Sequence, residues 1–450
     1  MTTQIFLTSG LRGTAVLAAA LDSGCFADSG RRLLLICDTT EAPEAVPPVD
    51  AMPGFERLRT RFDEVLSWND TVFPLHPGAW TPRADDVPLW ERHLRRAWDL
   101  GDEEVELVLE SPHTGPALAV AQVFTGVPVT VYADGLSGYG PTEGKVAPLI
   151  GTRVRRLLHP GLLPGAEPLL LAEFGAAPRQ LPTPALRKVF GELARAAAPG
   201  IEAPEGAAVL ILPEPGTLPA AEEAELHLRM IRGTAALGHT DIVLQPHPLG
   251  PAQPAPALRA EAARLGVELT VPDSGRPGVP VLAEVLFERL RPALVVGCSS
   301  TALLTAAAHY GLPVARAGTG ALLERLTPYE NPARIPATIA DVLLPDLAEP
   351  TAVSGQSPLT GALVEKALGG LLPAVAFAMQ PRVRPDLRPA AERYLSAHLD
   401  ARTRRYFRRR RLGSLALPGA VPARLASVRR NATLLRLARR ARALRRGLGS

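Results

Sequence analysis

Residues 127–135 read VPVTVYADG: an apolar, β-branched run to Tyr132, then Ala133, an acid and a glycine. Such residues pack well on a pleated surface, so 127–132 reads as a strand and Asp134 falls just beyond its end. Upstream, residues 118–124 read as a helix. A helix that feeds a strand ending in a polar turn is the repeating unit of a parallel sheet, and open α/β sheets carry their chemistry beyond the carboxyl ends of the strands. Working outward, residues 4–8, 32–37 and 105–110 also read as strands and 13–21 as a helix. With right-handed crossovers, residues 1–190 make a first Rossmann-like domain.

Residues 175–204 are rich in Pro and Ala, contain one helix at 186–197, and read as a connector. The alternation then resumes. Strands are expected at 207–212, 241–244, 267–271, 293–296 and 312–315; helices are expected at 220–237, 255–265, 281–290 and from Thr301 to Tyr310. Residues 200–375 therefore read as a second doubly wound domain. Two such α/β domains facing each other across a cleft form the GT-B arrangement of many nucleotide-sugar glycosyltransferases; a single large sheet suits the Pro-rich break less well.

The formal net charge of +4 hides an asymmetry. Residues 381–450 hold 20 Arg, no Lys and three acids, a balance of +17, which leaves −13 on residues 1–380. The body is acidic, whereas residues 376–450 read as an Arg-rich helical tail with affinity for polyanions. Within it, residues 402–411 are a basic run around Tyr406 and Phe407, and 425–448 have the spacing of a basic amphipathic helix. Three scattered cysteines, Cys25, Cys37 and Cys298, suggest neither a disulfide framework nor a metal cluster. No apolar stretch has the length of a spanning helix, and residues 1–13 lack the basic start of a secretory signal. A cytoplasmic protein is expected.

Three segments carry chemistry. Asp134-Gly135, with Gly138 and Gly140 close behind, is a turn that admits close approach of a ligand to backbone, although Asp-Gly also serves simply as a turn. In Gln245-Pro246-His247-Pro248, the two prolines stiffen the frame around an imidazole at a strand end. Such a histidine can donate to a phosphoryl oxygen as charge grows there. Finally, Ser299, Ser300 and Thr301 lie between a strand and a helix. Hydroxyls, free N–H groups and the helix dipole together form a phosphate site, whereas ordinary N-capping needs one hydroxyl.

An acid-Gly turn, a His-Pro loop and a Ser-Ser/Thr segment, in that order, resemble the bacterial sialyltransferases of GT-B fold. The Tyr132-x-Asp134-Gly135-Leu136-x-x-Tyr139-Gly140 setting and the Gln-Pro-His-Pro loop resemble most the α-2,8-polysialyltransferase family, over roughly residues 1–375. The resemblance implies a first domain for the acceptor and a second for a CMP-sialic acid donor, with sialic acid or a related nonulosonic acid passed to a glycan hydroxyl by inverting displacement. It implies no metal and no cofactor. Asp134 would be the base; His247 would assist departure of CMP; Ser299, Ser300 and Thr301 would hold the phosphate or the donor carboxylate. The family's first acidic position is Ala133 here, so Glu110, at the end of the neighbouring strand, is an alternative base.

Two other readings compete. A CDP-polyol phosphotransferase of the teichoic-acid polymerase kind shares the His-Pro loop and would use a second histidine such as His113. A non-catalytic protein would use the tail to grip a membrane or a polyanion. The tail lacks any nucleic-acid signature, so an anionic inner-membrane surface or an acidic glycan is the expected partner, as for a peripheral enzyme of capsule polysaccharide synthesis.

Overall fold

The computed structural model describes residues 2–420 except 28–29, 46, 198–201, 248, 252 and 274–280. Two parallel sheets are formed, not one. The first has the order β3-β2-β1-β4-β5-β6-β7, built from β1 (Thr2–Thr8), β2 (Arg31–Ile36), β3 (Glu64–Ser67), β4 (Glu104–Leu109), β5 (Val129–Tyr132), β6 (Val154–His159) and β7 (Ala177–Gln180). Its core strands alternate sides: Phe6, Leu34 and Val108 face one core, while Ile5, Leu7, Leu33, Leu35, Leu107 and Leu109 face the other. Burial on both faces is why these strands are near-continuous apolar runs.

Three strands escape the sequence reading, each for a physical reason. β3 is four half-buried residues. In β6 (VRRLLH) Arg155 and Arg156 interrupt the apolar pattern. β7 (APRQ) is exposed throughout and contains Pro178, tolerated because the strand is an edge. The supposed connector thus begins inside the first sheet. Its helix is packed on both sides: α1 (Leu11–Asp22) and α2 (Thr183–Ala196) lie together in the first domain, and α2 also packs on α3 (Ala283–Leu290) of the second.

The second sheet has the order β10-β9-β8-β11-β12, from β8 (Ala208–Ile211), β9 (Asp241–Gln245), β10 (Glu268–Thr270), β11 (Val295–Gly297) and β12 (Val314–Arg316). All pairings in both sheets are parallel. The order reverses between β1 and β4 in one sheet and between β8 and β11 in the other, so each has a switch point where a ligand crevice opens. α4 (Thr301–Tyr310) meets the first domain at Leu136 and Pro160, and α5 (Arg334–Leu343) packs on its 136–139 turn.

The run 402–411 is not a free tail. Tyr406, Phe407, Leu412 and Leu417 are buried in the second domain's core. The Tyr406 hydroxyl donates to buried Asp341 at 2.7 Å, Arg405 pairs with the same carboxylate at 3.1 Å, and Arg411 pairs with Glu330 at 2.6 Å. Two ring-bearing residues in a basic run were the sign of an anchored segment. The expected amphipathic helix at 425–448 lies outside the described residues. Among the described residues, no single helix is long and apolar enough to cross a membrane.

Candidate functional site

The carboxyl ends of the two sheets face each other over a cavity of about 430 Å³. It is lined by Asp134 from beyond β5, His247 from beyond β9, Ser299, Ser300 and Thr301 from beyond β11, and two residues without a prior sequence signal, Arg12 and Glu284. Residues as far apart in sequence as Arg12 and Thr301 thus meet at one site. Glu110 and His113 do not line it.

His247 is half-buried, with an orientation set by its own loop. The Leu249 backbone N–H donates to Nδ1 at 3.2 Å and the Gly250 N–H donates to the His247 carbonyl at 2.8 Å. Because Nδ1 accepts, the proton of the neutral ring sits on Nε2, which is then a donor. Burial lowers the pKa of the ring, opposed by Glu214. The imidazole is accordingly neutral at pH 7.

The hydroxyl segment divides its labour. Ser300 is the N-cap of α4 and its Oγ accepts from the Ala302 N–H at 3.2 Å. Thr301 Oγ1 reaches across the cleft to accept from the Leu136 N–H at 3.2 Å. Both atoms accept, so both hydroxyl protons remain available to a ligand. Ordinary capping and domain contact therefore account for two of the three hydroxyls, and Ser299 is the one without such a duty. Cys298 beside them is buried, its thiol pushed up to about 12 chiefly by that burial, and is chemically inert.

Gly135 is needed for this contact. A Cβ there would stand 2.8 Å from Thr301 Oγ1. Gly13 has a similar role behind the site, where a Cβ would fall 2.8 Å from Thr8 Oγ1 and 3.0 Å from both Glu110 Oε1 and the Tyr132 hydroxyl.

Two carboxylates approach each other at the switch point of the first sheet. Glu110 Oε1 accepts from the Ser9 N–H (2.7 Å) and the Tyr132 hydroxyl (2.7 Å), and Oε2 accepts from Ser9 Oγ (2.6 Å). Burial, and after it the charge of Asp134, raises the Glu110 pKa despite these bonds. Asp134 instead faces the cavity. Arg12 Nη1 lies 3.4 Å from its Oδ2 and also donates to its backbone carbonyl. Arg12 Nε pairs at 3.0 Å with Glu284, whose side chain is only 2% exposed. Arg12 sits in the first turn after β1, in the Gly10-Leu11-Arg12-Gly13 segment; its partner Glu284 is 272 residues away, and nothing local could announce it. A further bond closes the junction, from His309 Nε2 to the Pro160 carbonyl at 2.8 Å.

Two facing doubly wound sheets, with a cavity at both switch points, form the GT-B arrangement. A family model for alpha-2,8-polysialyltransferase (POLYST) matches residues 4–319. The chain belongs to the alpha-2,8-polysialyltransferase family, and its reaction is transfer of sialic acid from a nucleotide-sugar donor to a glycan acceptor. The CDP-polyol reading is not favoured by this membership. Similar solved structures include a sialyltransferase from Photobacterium damsela (12% identity over 68% of this chain and 72% of that chain, TM-score 0.36). Others are the GT-B domain of a sialyltransferase from Photobacterium damselae (12%, 68% and 88%, TM-score 0.37) and a UGT transferase from Siraitia grosvenorii in complex with UDP (11%, 89% and 100%, TM-score 0.39). No curated protein sequence matches the chain.

Proposed function

We propose that the cavity is the transfer site and that the donor is CMP-sialic acid. The observation that carries this reading is the convergence of Asp134, His247 and the Ser299–Thr301 segment on one cavity between the domains. Asp134 takes the proton of the acceptor hydroxyl as its oxygen attacks the anomeric carbon. The bond from that carbon to the phosphate oxygen breaks, and its electron pair leaves with CMP. His247 Nε2–H donates to the phosphate as negative charge grows there, and the Ser299, Ser300 and Thr301 hydroxyls with the dipole of α4 hold the same group. One displacement inverts the anomeric centre, and hydrogen-bonding groups with the helix dipole do the work without a metal. Glu110 stands behind Asp134, outside the cavity lining, which supports Asp134 as the base.

The test separates the roles. Asp134→Asn should abolish transfer and leave CMP affinity, read by calorimetry, within about twofold. His247→Ala should weaken CMP binding by roughly tenfold, the loss of one hydrogen bond to a charged group. Transfer that survives in Asp134→Asn but is lost in Glu110→Gln would assign the base to Glu110.

Membrane attachment and location belong to the same reading. Residues 421–450 contain nine Arg and no acid. Each basic residue near an anionic surface contributes about 1 kcal/mol, which supports docking on the inner membrane face, where a capsule polymer would be assembled. Retention of a polyanionic product would draw on the same charges.

A further inference from the structure

Arg12 is the basic residue among the described residues lining the cavity; the acids are Asp134, Glu214 and Glu284. Its guanidinium is occupied on two sides. Nε is held by Glu284, a buried carboxylate of the second domain, and Nη1 holds both the carbonyl and the side chain of Asp134 in the first. A planar fork with fixed donors is suited to this: once Glu284 fixes one edge, the position of the other is fixed too. The chain from α3 through Arg12 to the turn after β5 thus ties the carboxylate of one domain to a helix of the other.

We infer that Arg12 is the positioning residue of the acceptor base, holding Asp134 in place, with Glu284 as its anchor across the domain junction. The inference rests on Asp134 being the base. Its need is electrostatic as well as geometric. After burial, the charge of Asp134 resists ionisation of Glu110, so the two neighbouring carboxylates need something to distinguish them. Arg12 pairs with Asp134, whereas Glu110 receives only neutral donors from Ser9 and Tyr132. The groups facing Asp134 and its clamp are Arg12, Glu110, Tyr132 and Glu284, with His309 beside the Arg12–Glu284 pair and His247 across the cavity.

The test is the pH profile of kcat/KM for transfer from CMP-sialic acid to a fluorescent α-2,8-linked trisialic acid. A base must be ionised, so activity rises through its pKa. An opposite charge at this range favours the ionised form of a carboxylate, and solvent screens part of the effect because the Asp134 side chain is 45% exposed. Arg12→Gln should therefore move the acidic limb up, and Arg12→Lys should restore the limb while kcat stays several-fold low. Glu284→Gln keeps the cation but removes its competitor, so its limb should move down, a direction that mere loss of structure does not produce. CMP affinity should stay within about twofold in all three. Should Arg12→Gln not fold, Glu284→Gln decides alone. A limb unmoved in the folded variants overturns the inference, as does a tenfold loss of CMP affinity in Arg12→Gln with its limb in place, which would make Arg12 a donor contact. Asp134→Asn run in parallel distinguishes the failures: retained transfer there sinks the base assignment itself, whereas lost transfer with unmoved limbs sinks only the role of Arg12.

Discussion

Gly135→Ala measures the contact between the two halves of the site. Gly135 has φ −147° and ψ −168°, extended backbone that alanine adopts freely, so the cost comes from space alone. The new Cβ would stand 2.8 Å from Thr301 Oγ1, where real contacts begin near 3.0 Å and become ordinary at 3.4 Å. Thr301 can yield by rotating its side chain, which forfeits the Leu136 N–H bond, or by shifting the start of α4. The first route costs about 1 kcal/mol for the hydrogen bond, and residual crowding adds roughly another 1 kcal/mol. A loss of about 2 kcal/mol corresponds to a fall of about 4–8 °C in Tm, read by scanning calorimetry. The control is the same change in a Thr301→Ala background. There the nearest remaining atom is the residue 301 Cβ at 3.7 Å, and the cost should fall below about 0.5 kcal/mol. Equal cost in both backgrounds would show that Thr301 is not what the new methyl group meets.

Other outcomes follow from the same geometry. Burial pushes His159 down to about 4; the unfolded ring binds a proton first, so stability should fall as pH drops from 6.5 toward 4, with a slope approaching about 1.4 kcal/mol per pH unit from this group. His159→Gln should flatten that slope in urea titrations at pH 7.5 and 5, and an unchanged slope would remove His159 as its cause. Deleting residues 421–450 should leave Tm and transfer intact while abolishing sedimentation with anionic vesicles; retained vesicle binding would move the membrane surface elsewhere. Deleting residues 401–450 should instead unfold the second domain, because it exposes the sites of Tyr406, Phe407, Leu412 and Leu417, an upper bound of roughly 6–12 kcal/mol at 1.5–3 kcal/mol per buried side chain. Gly13→Ala should lower transfer by displacing the Glu110–Tyr132 pair, with CMP affinity held; unaltered kinetics would show that this pair has slack.

Alternation of apolar segments made both sheets readable, since strands such as FLT and VLIL are buried on both faces and helices return between them. The strands that stayed hidden are those whose stability is borrowed: β7, exposed and bearing a proline, exists because β6 offers it a hydrogen-bonding edge. Asp134, His247 and Ser299–Thr301 were legible because strand-end turns carry local signals. Arg12 and Glu284 were not, since an arginine after a strand and a glutamate on an amphipathic helix look like solvated surface until the domains meet. The segment at 402–411 misled for a related reason. Its charge count describes the composition, whereas Tyr406 and Phe407 decide where the chain lies.

The helix Thr183–Ala196 has a consequence for recombination within the family. It packs on both α1 and α3 and buries Leu186, Val189, Phe190 and Leu193, and Arg187 both pairs with Glu288 and covers the Tyr310 ring at 4.9 Å. A chimera that exchanges the second domain by cutting in the Pro-rich stretch would retain a helix shaped for a neighbour no longer there. The unit of exchange is therefore the second domain with this helix and the α1 surface beneath it, and the junction, more than either sheet, is what such a graft would have to match.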